Sequence, residues 1–290
     1  MIQTSGFFTS PTVAQAPDPG LELLYESKDG YCVILKGHRN DRIVAYKALN
    51  ASHREDPVWQ RMLRREYEIG ASLKHPGICE VLSWTRLPGY GDCIEMEYID
   101  GLRLDDWLAR HPGNIPEKRR ILSDLCGALS YIHRKQVAHK DLKPENILIT
   151  RSGNYPKIID FGLSDADTIL TGKEPAGTVR YAAPEILQGM PGDARSDIYS
   201  LGVIMCGMGS AFSRIARRCM AADPSHRYAS AEDVRSDLEQ TSHLRTSLWL
   251  PVVLILAILA VFRLCTNRQD RVEHLFQESV EKVREAANPS

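Results

Sequence analysis

Between Leu21 and Tyr98 the apolar residues come in short runs, at Leu21–Tyr25, Tyr31–Lys36, Arg42–Ala48, Val81–Thr85 and Cys93–Tyr98, separated by polar and glycine-containing stretches. Short runs rich in β-branched and aromatic residues, closed by turn formers, predict strands. Val58–Leu73 carries a longer, helically spaced pattern, so this part of the chain predicts a small antiparallel sheet with one helix beside it. After residue 100 the period lengthens. Ile121, Leu122, Leu125, Leu129 and Ile132 recur at helical spacing within Glu117–Arg134 and predict a helix with one buried stripe. A sheet-rich first part followed by a helical second part predicts an α+β fold.

The pattern changes a third time near the end. Thr246 to Phe262 are 17 uncharged residues between Arg245 and Arg263. As a helix they would extend about 25 Å, against a hydrocarbon core of about 30 Å. Flanking arginines can snorkel and Trp249 stands where an interfacial aromatic belongs. A helix apolar all round needs either a surrounding core or lipid, so residues 246–264 are expected to form a single transmembrane helix. Beyond it, residues 265–290 form a tail in which Val272, Phe276, Val280 and Val283 of Gln269–Ala287 share one face, the pattern of a short amphipathic helix. Residues 1–20, rich in Pro, Thr, Ser, Ala and Gln, carry no signal-peptide pattern and are expected to be a flexible leader.

At 290 residues with 43% hydrophobic content, the chain can bury a large core. A net charge of −1 supplies no basic field, so nucleic acid is not an implied partner. Seven scattered cysteines without a CxxC pair read as reduced thiols rather than a zinc site or a disulfide frame.

The chemistry concentrates in His139-Lys140-Asp141-Leu142-Lys143-Pro144-Glu145-Asn146, followed shortly by Lys157-Ile158-Ile159-Asp160-Phe161-Gly162. A hydroxyl attacking a γ-phosphate needs a carboxylate to take its proton, a cation to quiet the phosphate oxygens and oxygen ligands for a divalent ion. Asp141, Lys143, Asn146 and Asp160 are such a set. Upstream lie Val44-Ala45-Tyr46-Lys47 on a predicted strand and Glu66 on the predicted helix; downstream lie Gly177-Thr178, Tyr181-Ala182-Ala183-Pro184-Glu185, Ser196-Asp197-Ile198-Tyr199-Ser200-Leu201-Gly202 and Asp223-Pro224 with Arg227. Each motif alone is weak. Their joint order over about Leu21 to Leu238 resembles the eukaryotic-like Ser/Thr protein kinases of bacteria.

The resemblance implies a bilobal protein-kinase fold over residues 21–240, with a first lobe at about 21–97 and a second at about 101–240. It implies ATP with Mg²⁺ or Mn²⁺ as cofactors and protein hydroxyls as acceptors. Asp141 would be the catalytic base, Lys143 would neutralise the γ-phosphate, and Thr178 would position both. Asn146 and Asp160 would hold the metal, and Lys47, clamped by Glu66, would hold the α/β-phosphates. Ile34, Ala45 and Leu148 would sandwich adenine, Glu97, Tyr98 and Ile99 would form the hinge, and Met96 would stand behind the pocket. Asp197 would bond the catalytic-loop backbone, and Arg227 and Glu185 would form a partly buried ion pair.

Four departures from the family pattern stand out. The loop over the phosphates retains only Gly30, with Ser27, Asp29 and Cys32 at the expected glycine places, which predicts weak phosphate binding. Lys140 replaces the usual arginine and cannot fork onto a phosphate, which argues against control by activation-loop phosphorylation. Gly70, four residues after Glu66, replaces a large apolar residue and predicts a loosely held helix. Only 17 residues separate Gly202 from Met220, so the helix and loop that usually dock protein substrates there are expected to be missing.

Arg235 and Arg245 precede the apolar segment, whereas Arg263, Arg268, Arg271 and Lys282 follow it, so charge bias alone would place the N-terminal part outside the cell. The need for ATP outweighs that bias, and the expected arrangement is a single-pass cell-membrane protein with a cytoplasmic catalytic domain. Its tail could pair with a second copy and favour phosphorylation in trans. The rival reading is a pseudokinase, a membrane-bound nucleotide-binding or interaction scaffold.

Overall fold

The computed structural model describes residues 20–27, 30–161, 179–240, 254–260, 263 and 268. Five strands form one antiparallel sheet: β1 (Glu22–Glu26), β2 (Cys32–Arg39), β3 (Arg42–Leu49), β4 (Val81–Leu87) and β5 (Gly91–Glu97), in the order β1-β2-β3-β5-β4. All five strand runs read from the sequence are present, each within a few residues of its expected bounds. Helix α1 (Pro57–Ser72) begins one residue early because Asp56 caps it, its carboxylate accepting from Val58 N at 2.7 Å, and Pro57 suits the first helical position.

Leu63 of α1 packs on Leu49 and Ile94 of the sheet, with Trp59, Tyr67, Val81 and Trp84 around them. Gly70 is buried, and a Cβ there would lie 2.6 Å from Val81 Cγ2. Val81 therefore fills the space that the missing side chain would have taken. This corrects the expectation of a loosely held helix: a β4 side chain supplies the volume that α1 lacks, and close-packed interiors do not distinguish which element contributes it.

The second part begins with β6 (Gly101–Arg103) and α2 (Leu104–Arg110), then α3 (Ile115–Arg134), β7 (Ile147–Thr150) and β8 (Pro156–Ile158), with β6-β7-β8 forming a small sheet. Ile121, Leu122, Leu125, Leu129 and Ile132 of α3 are all fully buried, as their spacing predicts. The short helix α4 (Pro184–Leu187) leads to α5 (Ala194–Met208), which starts with a capping box from Asp193 and Ser196. Helix α6 (Ser213–Cys219) follows after one 3₁₀ turn, and a further helix occupies residues 231–240.

The abbreviated connection between α5 and α6 has a physical device. Gly202 lets α6 approach so closely that a Cβ would meet Cys219 Cβ at 2.6 Å, Met220 Cγ at 2.9 Å and the Ala216 carbonyl oxygen at 3.0 Å. Lys118 of α3 is buried and donates to the carbonyls of Pro112 at 2.7 Å and Met208 at 3.1 Å, which closes the end of α5. The expected docking helix is absent from this interval. In its place α6 lies directly on α5.

The chain divides after Asp237 into two compact units. In the second, residues 254–260 are helical, and all seven side chains are exposed. Among the described residues no helix is long and apolar enough to cross a membrane. Most of the expected span at 246–264, the tail at 265–290 except Arg268, the leader at 1–20 except Gly20, and the residues Asp29 and Thr178 lie outside the described residues. The six cysteines that are described are all free thiols.

Candidate active site

Lys47 is the centre of the cleft. It sits on β3 opposite Ile34 of β2 and Ile94 of β5, and only 4% of its surface is exposed. Its Nζ donates to Glu66 Oε1 at 2.7 Å and to Asp160 Oδ1 at 2.9 Å. A buried ammonium is tolerable only with such partners. Burial pulls Lys47 down, but Asp160 and Glu66 outweigh it and hold it well above its ordinary value, so it stays charged. Burial acts the other way on Glu66 and, with Asp160 nearby, pushes it up to about 7 although Lys47 opposes this.

The catalytic loop is built from the backbone outward. Asp197 of α5, fully buried, accepts from His139 N and Lys140 N through its two carboxylate oxygens, each at 2.8 Å, which is the role expected of it. His133 of α3 adds a third contact, Nε2 to Asp197 Oδ2 at 2.8 Å. Only tertiary structure could reveal this one, since His133 ends a helix with no motif around it. Asp197 thereby holds Lys140 at φ +63°, a left-handed conformation that costs a non-glycine residue roughly 1 kcal/mol or more. Asp160 is similarly left-handed at φ +66°. Strain of this kind persists where surrounding bonds over-determine it, as they do here.

On that frame Lys143 Nζ donates to Asp141 Oδ2 at 2.6 Å, and Asn146 Nδ2 donates to the same oxygen at 3.0 Å and to the Asp141 carbonyl at 2.9 Å. Asp141 is thus aimed by two donors. Burial raises its pKa, an effect that Lys143 limits. With Nδ2 bonded to Asp141, the Asn146 side-chain oxygen and the Asp160 carboxylate are the oxygen donors that would be offered to a metal. Two protein oxygens suit Mg²⁺ or Mn²⁺ completed by phosphate and water, and the donor set fits the ion implied by the sequence.

The expected adenine residues frame the other end. Ala45 pairs with Met96 across β3 and β5, Ile34 lies on β2, and Leu148 lies on β7 opposite Lys157. Glu97 ends β5; its carboxylate accepts from Glu80 N at 2.8 Å and from Lys157 Nζ, and its backbone N–H donates to the Glu80 carbonyl at 2.9 Å, which fixes the chain just before the expected hinge residues Tyr98 and Ile99. Gly30 sits at the β1–β2 turn with φ +66°, a conformation only glycine adopts without strain. Ser27 closes that turn, its Oγ accepting from Tyr31 N at 3.0 Å and Cys32 N at 3.1 Å. The serine at an expected glycine place therefore takes up two amides of this turn.

The Arg227–Glu185 pair is bidentate, Nη1 to Oε1 at 2.7 Å and Nη2 to Oε2 at 2.8 Å, with Arg227 3% exposed. It ties α4 to the turn before residues 231–240.

Comparison with known proteins agrees with this geometry. The protein kinase domain family matches residues 27–214. The chain is 30% identical over 239 residues to the serine/threonine-protein kinase PrkC of Bacillus subtilis, covering 69% of this chain and 36% of the relative. It is also 30% identical over 244 residues to the serine/threonine-protein kinase PknB of Mycobacterium tuberculosis, covering 69% of this chain and 39% of that protein. The crystal structure of the M. tuberculosis PknI kinase domain shares the fold, with a TM-score of 0.61 at 23% identity over 79% of this chain and 98% of the other. The chain belongs to the protein kinase family and groups with its bacterial Ser/Thr members. It spans little more than a third of the length of those curated relatives.

Proposed function

We propose that this chain is a membrane-tethered Ser/Thr protein kinase that transfers the γ-phosphate of ATP to protein hydroxyls. The observation that carries the reading is Lys47 bonded at once to Glu66 and Asp160, in the same fold as an Asp141 aimed by Lys143 and Asn146. A bare scaffold has no physical need of both constellations.

In this reading Lys47 holds the α/β-phosphates and Glu66 holds Lys47. Ile34, Ala45 and Leu148 enclose adenine beside the hinge backbone of Glu97, Tyr98 and Ile99, with Met96 behind. Asp160 and Asn146 hold Mg²⁺ or Mn²⁺, which when bound neutralises charge on the β- and γ-phosphates. Asp141 orients the acceptor hydroxyl and takes its proton as the new O–P bond forms and the bond to ADP breaks. Its raised pKa makes it a better proton acceptor. Lys143 stabilises charge on the transferring group. Thr178, outside the described residues, is assigned to positioning Asp141 and Lys143.

Membrane tethering is supported by the 17 uncharged residues at 246–262 and by residues 254–260, whose leucine, isoleucine and alanine side chains are exposed on every side of a helix. Such a helix needs an apolar surrounding. The catalytic domain then lies on the ATP-containing side, and the tail beyond the span could pair with a second copy and promote phosphorylation in trans.

Incubating the full chain in detergent with labelled ATP, Mg²⁺ and a generic protein should place label on Ser or Thr, and Asp160→Asn should prevent it. ATP binding without transfer by the parent would instead establish the scaffold reading. Protease added to intact cells should remove a tag placed after Ser290 and spare one placed before Met1; the reverse pattern, or protection of both tags, would refute the proposed topology.

A further inference from the structure

The hairpin expected over the phosphate site and the helix that carries Glu66 are joined by an aromatic contact. Tyr31, the residue after Gly30, stacks on Trp59 of α1 with ring centroids 4.9 Å apart and planes 19° from parallel. His53 meets the Trp59 ring edge-on at 5.0 Å. We propose that Tyr31 and Trp59 are positioning residues, whose stack couples the seating of ATP beneath the hairpin to the seating of Glu66 on Lys47. The proposal rests on the kinase reading above.

Both ends of the contact are held. The Tyr31 amide donates to Ser27 Oγ at 3.0 Å, and its carbonyl accepts from Asn50 N at 2.8 Å, just beyond the end of β3. The main chain that carries the ring is therefore held on both sides of the residue. On α1, Trp59, Leu63, Glu66 and Gly70 fall at spacings of four, three and four, which places them along one face. Leu63 is anchored in the sheet cluster and Gly70 against Val81. Trp59 is the contact nearest the start of the helix, and its partner belongs to the segment that must accommodate ATP.

The ring reaches the same electrostatic centre. Lys47 lowers the Tyr31 hydroxyl, but burial, Asp160 and Glu66 outweigh it and hold the group far above its usual value. Tyr31 therefore remains a neutral hydroxyl within the field of the residues whose arrangement it is proposed to set. A hairpin displaced upward or downward would carry the Trp59 end of α1 with it and alter the Glu66 to Lys47 distance. In a site short of glycines, where Ser27 already engages two loop amides, this linkage would transmit nucleotide binding to the helix through side chains instead of loop flexibility.

The test uses the full chain in detergent and reads amide hydrogen exchange in residues 57–72, with and without ATP and Mg²⁺. Nucleotide should slow exchange in the parent, and Tyr31→Ala or Trp59→Ala should abolish most of that protection. Each should also lower kcat/KM for ATP by about threefold to tenfold, the range expected for one aromatic pair. The double variant should lose no more than either single, and Tyr31→Phe and Trp59→Phe should each recover most of the loss, since both keep a ring to stack. Undiminished protection in either alanine variant, losses that multiply in the double variant, or faster turnover in Tyr31→Ala would overturn the proposal, the last by making Tyr31 a plug. If the parent transfers no phosphate, the kinase reading fails by itself, while the exchange measurement still decides whether nucleotide and α1 are coupled.

Discussion

Replacing Arg227 with methionine removes a side chain whose every donor is used. Besides the two bonds to Glu185, Arg227 donates to the Ala221 carbonyl at 2.8 Å, the Arg195 carbonyl at 2.9 Å and the Ala222 carbonyl at 3.2 Å, and its guanidinium lies 5.0 Å from the Tyr199 ring. Among the described residues, the variant leaves the Glu185 carboxylate, 9% exposed, with Ser196 Oγ at 2.8 Å as its side-chain donor. Breaking a buried pair from one side costs about 3–5 kcal/mol, a large share of a total stability of about 5–15 kcal/mol. At about 2–4 °C per kcal/mol for a domain of this size, the melting temperature should fall by roughly 6–20 °C. Glu185→Gln should be comparably damaging because it strands the guanidinium. Glu185→Gln combined with Arg227→Met removes both charges, so urea unfolding should show it about 2–3 kcal/mol more stable than the sum of the single effects. Additive single effects, or a loss below about 1 kcal/mol in Arg227→Met, would refute the reasoning that these groups are a buried, mutually dependent pair.

The same pair sets an acid response: burial raises the Glu185 pKa, but bonds from Arg227 and Ser196 more than offset this and leave it below its usual 4.5. Its contribution to stability is complete above about pH 4.5 and is lost as pH falls through the lower folded value; Glu185→Gln should remove that part of the acid limb in pH-dependent urea unfolding. Gly202→Val should destabilise the fold by about 1–3 kcal/mol or more in the same assay, because its side chain would enter Cys219, Met220 and the Ala216 carbonyl; an unchanged midpoint would show that α6 can retreat from α5. Lys47→Ala should reduce phosphoryl transfer by a factor of about 10² to 10³ while circular dichroism stays that of the parent, and retention of parental transfer would remove Lys47 from the phosphate site.

Much of the fold is local information. The five strand runs and the α1 and α3 periodicities act within a few residues, so the sequence alone located those elements closely; the Asp56 and Asp193 caps and the short elements β6, α2, β7 and β8 came only with the structure. The order of the charged motifs likewise singled out Lys47, Glu66, Asp141, Lys143, Asn146 and Asp160, since chemistry at a phosphate restricts residue type severely, and the fold bonds Lys47 to Glu66 and Asp160, and Asp141 to Lys143 and Asn146. Packing across elements is different in kind. Whether Gly70 leaves a void depended on Val81, a residue from β4, and whether α5 could close without its usual neighbour depended on Gly202 meeting α6. The third contact on Asp197, from His133, and the Tyr31–Trp59 stack had no sequence signal because each joins residues 28 or more positions apart with no motif to mark the partner. Residue types and short-range periodicity determine what each segment becomes. Only the assembled chain decides which distant side chain fills a space, bonds a carboxylate or stacks on a ring, because those energies depend on distances that a sequence does not contain.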